Sequence, residues 1–151
     1  MSNEATIRTS LQIRKTNTAG DLVLMDYQGR PTDFQCSVAG AKGPTPGAVT
    51  VSIMGTAIDL SQLTVPGLCR IMNEDPTNFV EYGINENTTN KFYPLGEIGP
   101  GESYILKLSR WLGREWAEPG TGTGTALGSD NKLMMRANAA ACNVLVEAFE
   151  A

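Results

Sequence analysis

Apolar and polar positions alternate along residues 65–109, and this pattern predicts three neighbouring β-strands. Each run places every second residue on one face, namely Cys69, Ile71 and Asn73, then Val80, Tyr82 and Ile84, then Tyr104, Leu106 and Leu108. A period of two residues sends successive side chains to opposite faces of a sheet. Turn-forming residues separate the runs, at positions 75–78 and at Pro100 and Gly101.

Similar runs lie on both sides of this segment. Ile7, Leu11 and Ile13 alternate with polar residues and predict one half-buried strand. Residues 22–27 are apolar on both faces, so we expect that strand to be covered on both sides or to lie at a contact. Further strands are predicted at 34–38, 49–54, 133–138 and 144–149, with a weaker one at 57–60 and a short one at 91–93.

The connections between these runs carry few helix signals. Residues 41–47, AKGPTPG, are rich in glycine and proline and predict an irregular connection. The alanines at 139–141 lie between two strand-like runs, so we expect a tight connection or a closely packed strand. Short strands with Gly/Pro turns are typical of a β-sandwich.

We therefore expect an all-β chain forming a single-domain, jelly-roll-like β-sandwich of about eight or nine strands. A length of 151 residues fits one domain. We place a free N-terminal arm at residues 1–8 and the sandwich at residues 9–151. A glycine-rich loop is expected at about residues 118–131.

Composition argues against several functions. The net charge of −4 and the pI near 4.8 disfavour nucleic acid and anionic membranes as partners. The chain has no histidine, so it lacks the commonest general base and metal ligand. We find no catalytic set, no metal site and no cofactor motif with its required context, and we expect a protein that is not an enzyme.

Three cysteines, at positions 36, 69 and 142, each lie in a strand-like run. Buried free thiols are the main expectation, and one disulfide with one remaining thiol is the alternative. The polar N-terminus lacks the apolar segment of a signal peptide, and no apolar run reaches membrane-spanning length. We expect the protein to be made in a cytosol.

Residues 120–128, GTGTGTALG, contain a glycine spacing close to that of dinucleotide-binding loops. Such a loop needs a strand before it and a helix after it, because the helix N-terminus binds the pyrophosphate. Glu118 and Pro119 precede this segment, and a strand-like run follows it. A flexible connection is therefore the preferred interpretation.

Trp111 and Trp116 flank two arginines, Arg110 and Arg114. Clusters of Trp and Arg are enriched at the energetic centres of interfaces, whereas two core-capping tryptophans are the structural alternative. Exposed tryptophans also bind sugars, so a carbohydrate-binding module is a further possibility.

The central and C-terminal runs contain a characteristic set of turn and strand residues: Pro66, Gly67, Asn73, Asn78, Phe79, Val80, Gly83, Pro100, Gly101, Glu102, Ala137, Asn138 and residues 144–147. In this set the chain resembles small structural proteins encoded by tailed bacteriophages. The resemblance covers roughly the last 90 residues, without the glycine-rich loop.

The resemblance implies a virion component made in the host cytoplasm, and we expect a capsid decoration (cement) protein on the capsid surface. A head–tail or tail component is the alternative. The implied partners are the major capsid protein and further copies of the chain, as a dimer or trimer. We expect the contacts to involve ten residues: Asn3, Ile7, Arg8, Leu22, Leu24, Tyr27, Arg110, Trp111, Arg114 and Trp116.

Overall fold

The structure is a computed structural model that describes residues 5–20, 22–36, 42–86, 91–109, 112, 114–115, 125–126 and 133–151. Within these residues the chain is all-β and contains no helix, which confirms the predicted class. The strands are β1 (Ala5–Thr9), β2 (Gln12–Thr16), β3 (Val23–Gln28), β4 (Thr32–Cys36), β5 (Thr45–Val51), β6 (Thr56–Ala57), β7 (Pro66–Asn73), β8 (Val80–Glu86), β9 (Lys91–Ile98), β10 (Ser103–Lys107), β11 (Arg114–Glu115), β12 (Thr125–Ala126), β13 (Leu133–Ala137) and β14 (Cys142–Glu150).

The chain divides into two compact units, Met1–Val38 and Ala39–Ala151. We call the paired strands β1 to β4 of the first unit the ribbon, and we call the second unit the body. The sequence led us to expect a division after residue 8 instead. Alternation identifies strands, but it does not reveal that the first four strands pair only with one another.

The ribbon is a long antiparallel strand pair with two irregularities, one between its two ladders and one within the β2–β3 ladder between Lys15 and Thr16. Strands β2 and β3 form a hairpin, and β1 pairs with β4 further from the hairpin turn. Thr9 pairs with Thr32 and Gln12 pairs with Gln28, so one strand advances three residues where the other advances four. The extra residue forms an irregularity between the two ladders.

The hairpin turn at the tip of the ribbon lies between β2 and β3. Asn17 donates from its backbone N–H to the carbonyl of Leu22 over 2.9 Å, and Gly20 donates to the carbonyl of Asn17 over 3.0 Å. Gly20 has a φ of 79°, a left-handed conformation that glycine adopts without a steric penalty. The turn therefore closes the ribbon by local chemistry alone.

The body contains two four-stranded antiparallel sheets. Their strand orders are β10-β7-β14-β5 and β6-β13-β8-β9. Strands β11 and β12 form a separate two-stranded pair. Strands β7 and β14 occupy the centre of the first sheet, and β13 and β8 occupy the centre of the second.

The core of the body forms because the central strands bury every second residue. In β7, burial alternates along the whole strand and includes the predicted Cys69, Ile71 and Asn73. Both sheets contribute to one hydrophobic cluster, whose buried members are Val51, Ile58, Leu63, Cys69, Ile71, Val80, Ile98, Leu133, Met135, Ala137, Cys142, Val144, Val146 and Ala148. The alternation of β13 and β14 is confirmed in the same way.

Asn73 is the buried polar residue among the described core positions. Its Nδ2 group donates to the carbonyls of Asn78, Ile98 and Gly99 at 2.8, 3.2 and 3.1 Å, and its Oδ1 atom accepts from the N–H of Asp75 at 3.0 Å. Buried polar groups persist when they are hydrogen-bonded in this way. Asn73 thus joins the end of β7 to two turns.

Two strand predictions were wrong in detail. Residues 7–13 form two strands rather than one, and Leu11 and Ile13 are exposed rather than half-buried. The connection predicted at 41–47 ends earlier, because β5 begins at Thr45 and includes Pro46. Strand β5 lies at the edge of its sheet, where a residue without an N–H is tolerated.

Candidate assembly surface

One face of the ribbon is apolar. Ile13 lies directly opposite Tyr27, and Lys15 lies directly opposite Met25. Because alternate residues of a strand share a face, these four side chains project from the same side of the ribbon. We call Leu11, Ile13, Met25 and Tyr27 the apolar face.

The position of Leu11 on this face follows from its contact with the glycine opposite it. A Cβ atom added to Gly29 would lie 3.6 Å from Leu11 Cβ and 3.4 Å from Tyr27 Cε1. Both side chains therefore lie on the side of the ribbon toward which Gly29 would project. The tyrosine ring covers the space that a larger side chain would occupy.

The apolar face is exposed to solvent in the single chain. Its four side chains are between 41% and 56% exposed. The other face carries Gln12, Arg14, Asp26 and Gln28, with Arg14 directly opposite Asp26, and Leu24, two residues from Asp26 in β3, is also exposed. An uncovered apolar face is typical of a surface that contacts another molecule.

A second exposed apolar surface lies on the body. Tyr82 and Tyr104 come from different sheets, and their rings stack with centroids 6.0 Å apart. Ile84 is two residues from Tyr82 and pairs with Tyr93, so both extend the same face. We call Tyr82, Ile84, Tyr93 and Tyr104 the aromatic strip. Three of its members, Ile84, Tyr93 and Tyr104, are 41–51% exposed.

A β-bulge positions one end of the aromatic strip. The register of β8 and β9 shifts between Tyr82 and Gly83, and a Cβ atom on Gly83 would collide with the carbonyl oxygen of Tyr93. Glycine is therefore required where the two backbones approach each other. Burial, and to a lesser degree the neighbouring Tyr104, raises the pKa of Tyr82, so its hydroxyl stays neutral.

The ribbon and the body each contain an exposed arginine that is paired with a carboxylate. Arg8 of the ribbon makes two 2.9 Å hydrogen bonds to the carboxylate of Asp33, which raise the pKa of Arg8. In the body, Arg136 binds Glu81 through Nη2 at 2.6 Å and lies 5.6 Å from the ring centroid of Phe92. These pairs satisfy one another's charge, so neither marks a site for a charged ligand.

The structure places the predicted contact residues unequally. Leu22, Leu24 and Tyr27 are exposed in or beside β3, as a contact strand requires, and Arg8 is exposed beside Asp33. Ile7 is 5% exposed, so it is buried and not available as a contact.

For the remaining predicted contact residues, the structure describes at most the backbone. Asn3, Arg110, Trp111 and Trp116 lie outside the described residues, as does most of the glycine-rich loop at 118–131. Arg114 belongs to β11 by its backbone. The interface role of Trp111 and Trp116 therefore stays a prediction, as does the alternative that they cap the core.

Sequence reasoning missed half of the apolar face, namely Leu11 and Ile13, and the whole aromatic strip. Leu11 and Ile13 were assigned to the core because their alternation matches that of a core strand. A signal was available, since the turn at residues 17–20 folds β2 back onto β3 and sets Ile13 opposite Tyr27. The strip carried no comparable signal, because it depends on the meeting of two separate sheets.

No group of three or more His, Cys, Asp or Glu side chains among the described residues could hold a metal ion. Cys69 and Cys142 are free and buried, as predicted. Burial raises the pKa of Cys69 to about 12, with a smaller contribution from Glu147, and burial also raises the pKa of Cys142. The side chain of Cys36 is not among those described.

Comparison with known proteins gave no relative: no family model, no curated protein and no solved structure matches the chain. No helix in the described part of the chain is long and apolar enough to cross a membrane.

Proposed function

We propose that the chain is a non-enzymatic structural protein of a tailed-bacteriophage virion, and that it decorates and stabilises the outer surface of the capsid. The observation that carries the proposal is the uncovered apolar face of the ribbon. An isolated two-stranded ribbon is at best marginally stable in water, and covering its apolar face stabilises it. A surface of this kind is used when the chain joins a larger assembly.

The body supports the proposal as a rigid platform. Two four-stranded sheets bury alternate residues in one cluster, which is the pattern expected of a jelly-roll-like β-sandwich. All of the turn and strand residues that carry the resemblance to small phage structural proteins lie in this unit. Asn73, which is one of them, holds two turns of the body together.

The stabilising mechanism would be mass action. A protein that binds the assembled shell and not its separated subunits stabilises the shell by its binding free energy. The partners would be the major capsid protein and other copies of this chain. Sites between capsid subunits lie on or near symmetry axes, so a dimer or trimer at the capsid surface fits the proposal.

A head–tail or tail component is the second candidate, and the length of the ribbon favours it. At roughly 3.3 Å per residue, β1 and β2 together, from residue 5 to residue 16, span at most about 36 Å. A strand pair of that length is long enough to contact a neighbouring subunit in a ring. The carbohydrate-binding alternative depends on Trp111 and Trp116 and stays a prediction.

The experiment compares phage particles made with and without this protein. We expect particles that lack the protein to release their DNA at a lower temperature and to tolerate changes in salt concentration less well. Adding the purified protein should restore resistance to heat and to salt. Its copy number per particle separates the two candidates, since decoration requires hundreds of copies and a tail ring requires a few to a dozen. Equal melting of both particles, with no recovery, would contradict stabilisation.

A further inference from the structure

We propose that the apolar face of the ribbon docks on the aromatic strip of a second copy of this chain. The proposal identifies the partner of the apolar face as a second copy of the chain. It rests on the proposed function in one respect, namely that the ribbon takes part in assembly. The ribbon of each copy would then bind the aromatic strip of a neighbouring copy, and its own strip would bind the ribbon of a neighbour.

The ribbon needs a cover that its own strands do not provide. Leu11, Ile13, Met25 and Tyr27 project from a two-stranded sheet, and all four remain about half exposed. A two-stranded sheet gains independent stability when a further layer packs on its hydrophobic face. The occupant must therefore be apolar and extended, because the face runs along the strands.

The aromatic strip has the matching properties. It contains four large side chains in a continuous row, from Tyr104 through the stacked Tyr82 to Ile84 and Tyr93. Aromatic side chains contribute large contact areas and are enriched at the centres of interfaces. A contact between ribbon and strip would cover both exposed sets at once, whereas ribbon-to-ribbon packing would leave the strip exposed.

Charge also favours the body over a second ribbon. Among the described residues of β2 and β3, one charged side chain lies on the same side as the apolar face, and it belongs to Lys15. The first 38 residues contain four basic and four acidic residues, which leaves eight basic and twelve acidic residues, and all of the net charge of −4, on residues 39–151. Packing two ribbons face to face would place two Lys15 ammonium groups in one small interface, and like charges there are costly.

The contact is heterologous, since the two surfaces differ. Reciprocal exchange of ribbons closes a dimer, and sequential docking closes a trimer or larger ring. A stable interface commonly buries about 800 Å² on each partner, more than one narrow face supplies. A closed assembly contains two or more such contacts, and together they would compensate for the small area of each one. In free solution we expect the degree of association to depend on protein concentration.

The test is sedimentation of the full chain over a wide concentration range, with one charged substitution on each surface. Met25→Glu places a charge on the apolar face of the ribbon. The new carboxylate would lie opposite Lys15, and this pair of opposite charges keeps the two strands of the ribbon together. Ile84→Glu disrupts the strip at an exposed position. We expect each variant to weaken self-association by at least about tenfold, because a carboxylate would be buried in an apolar contact.

The decisive sample is an equimolar mixture of the two variants. One contact remains intact between them, the ribbon of the Ile84→Glu copy on the strip of the Met25→Glu copy, so we expect the mixture to associate more strongly than either variant alone. Gln28→Glu, on the polar face of the ribbon, and Ile105→Glu, on the face of β10 opposite to Tyr104, are the matched controls. Both controls should associate like the original chain.

Folding of every variant is checked by near-ultraviolet circular dichroism, and Tyr27→Ser and Ile84→Ser serve as uncharged replacements if a charged variant unfolds. A chain that is monomeric at all concentrations would overturn the proposal. So would two variants that each fail to associate and are not rescued by mixing, or variants that behave like the controls. A monomer that still binds capsids in hundreds of copies would overturn this inference and leave the proposed function standing.

Discussion

The backbone N–H of Gly29 donates a 2.7 Å hydrogen bond to the carbonyl oxygen of Leu11. This bond lies between the two ladders of the ribbon and links them across the irregularity. It also sets the ring of Tyr27 and the side chain of Leu11 on one side of the strand pair. The apolar face therefore reaches the junction of the two ladders at Leu11.

The ribbon should exchange its amide hydrogens faster than the body. Strands β2 and β3 have exposed side chains along their whole length, whereas β7 and β14 pair on both edges and bury alternate residues. Local opening is easiest where few apolar contacts must be broken. Hydrogen exchange measured by mass spectrometry should show early labelling of residues 12–28 in dilute protein and protection after assembly. Equal protection of both units in the dilute monomer would contradict this prediction.

Asn73→Leu should destabilise the body by about 3 kcal/mol. The substitution removes three donated hydrogen bonds and one accepted bond and leaves buried backbone groups without partners. Urea denaturation measures the change. Asn143→Ala is the control, since Asn143 is exposed and accepts one hydrogen bond from Thr50, and it should change stability by less than about 0.5 kcal/mol. A similar effect of both substitutions would show that the network around Asn73 is not important.

The turn after β7 should weaken in acid. Hydrogen bonds from the N–H groups of Asn78 and Thr77 lower the pKa of Asp75 below its ordinary value of 3.8. A carboxyl whose pKa is lower in the folded state contributes stability that is present above pH 3.8 and is lost as the pH falls through the folded pKa. An NMR titration should find the low pKa, and Asp75→Asn should make stability less dependent on pH in that window. A pKa at or above 3.8 would contradict this prediction.

The two buried thiols should be unreactive in the folded protein. Burial raises the pKa of Cys69 to about 12 and also raises the pKa of Cys142, so both thiols form less of the reactive thiolate than an exposed cysteine does. In a Cys36→Ser background, a thiol-specific reagent should label neither cysteine until denaturant is added, and it should then label both. Rapid labelling of the native chain would show that the core opens easily.

The central strands could be predicted from sequence, and the role of the N-terminal strands could not. In β7 and β14 the alternating pattern is continuous, so it identified the buried face correctly. The same alternation at Leu11 and Ile13 gave the wrong environment, because periodicity tells which residues share a face but not what covers it. Both residues face solvent in the ribbon.

The candidate site was accessible to sequence reasoning only in part. Residues 22–27 were predicted to be covered or to lie at a contact because both faces are apolar, and the exposure of β3 agrees with a contact. The aromatic strip depends on the stacking of Tyr82 on Tyr104, which are 22 positions apart and belong to different sheets. No local pattern encodes such a meeting, so it required the fold.

The most direct measurement is co-sedimentation of the purified chain with phage capsids that lack it, quantified by gel densitometry. The proposed function predicts saturable binding at hundreds of copies per capsid, with weaker binding by Met25→Glu and unchanged binding by Gln28→Glu. No binding to capsids, or a handful of copies found only on particles with tails, would contradict decoration and move the chain to the tail.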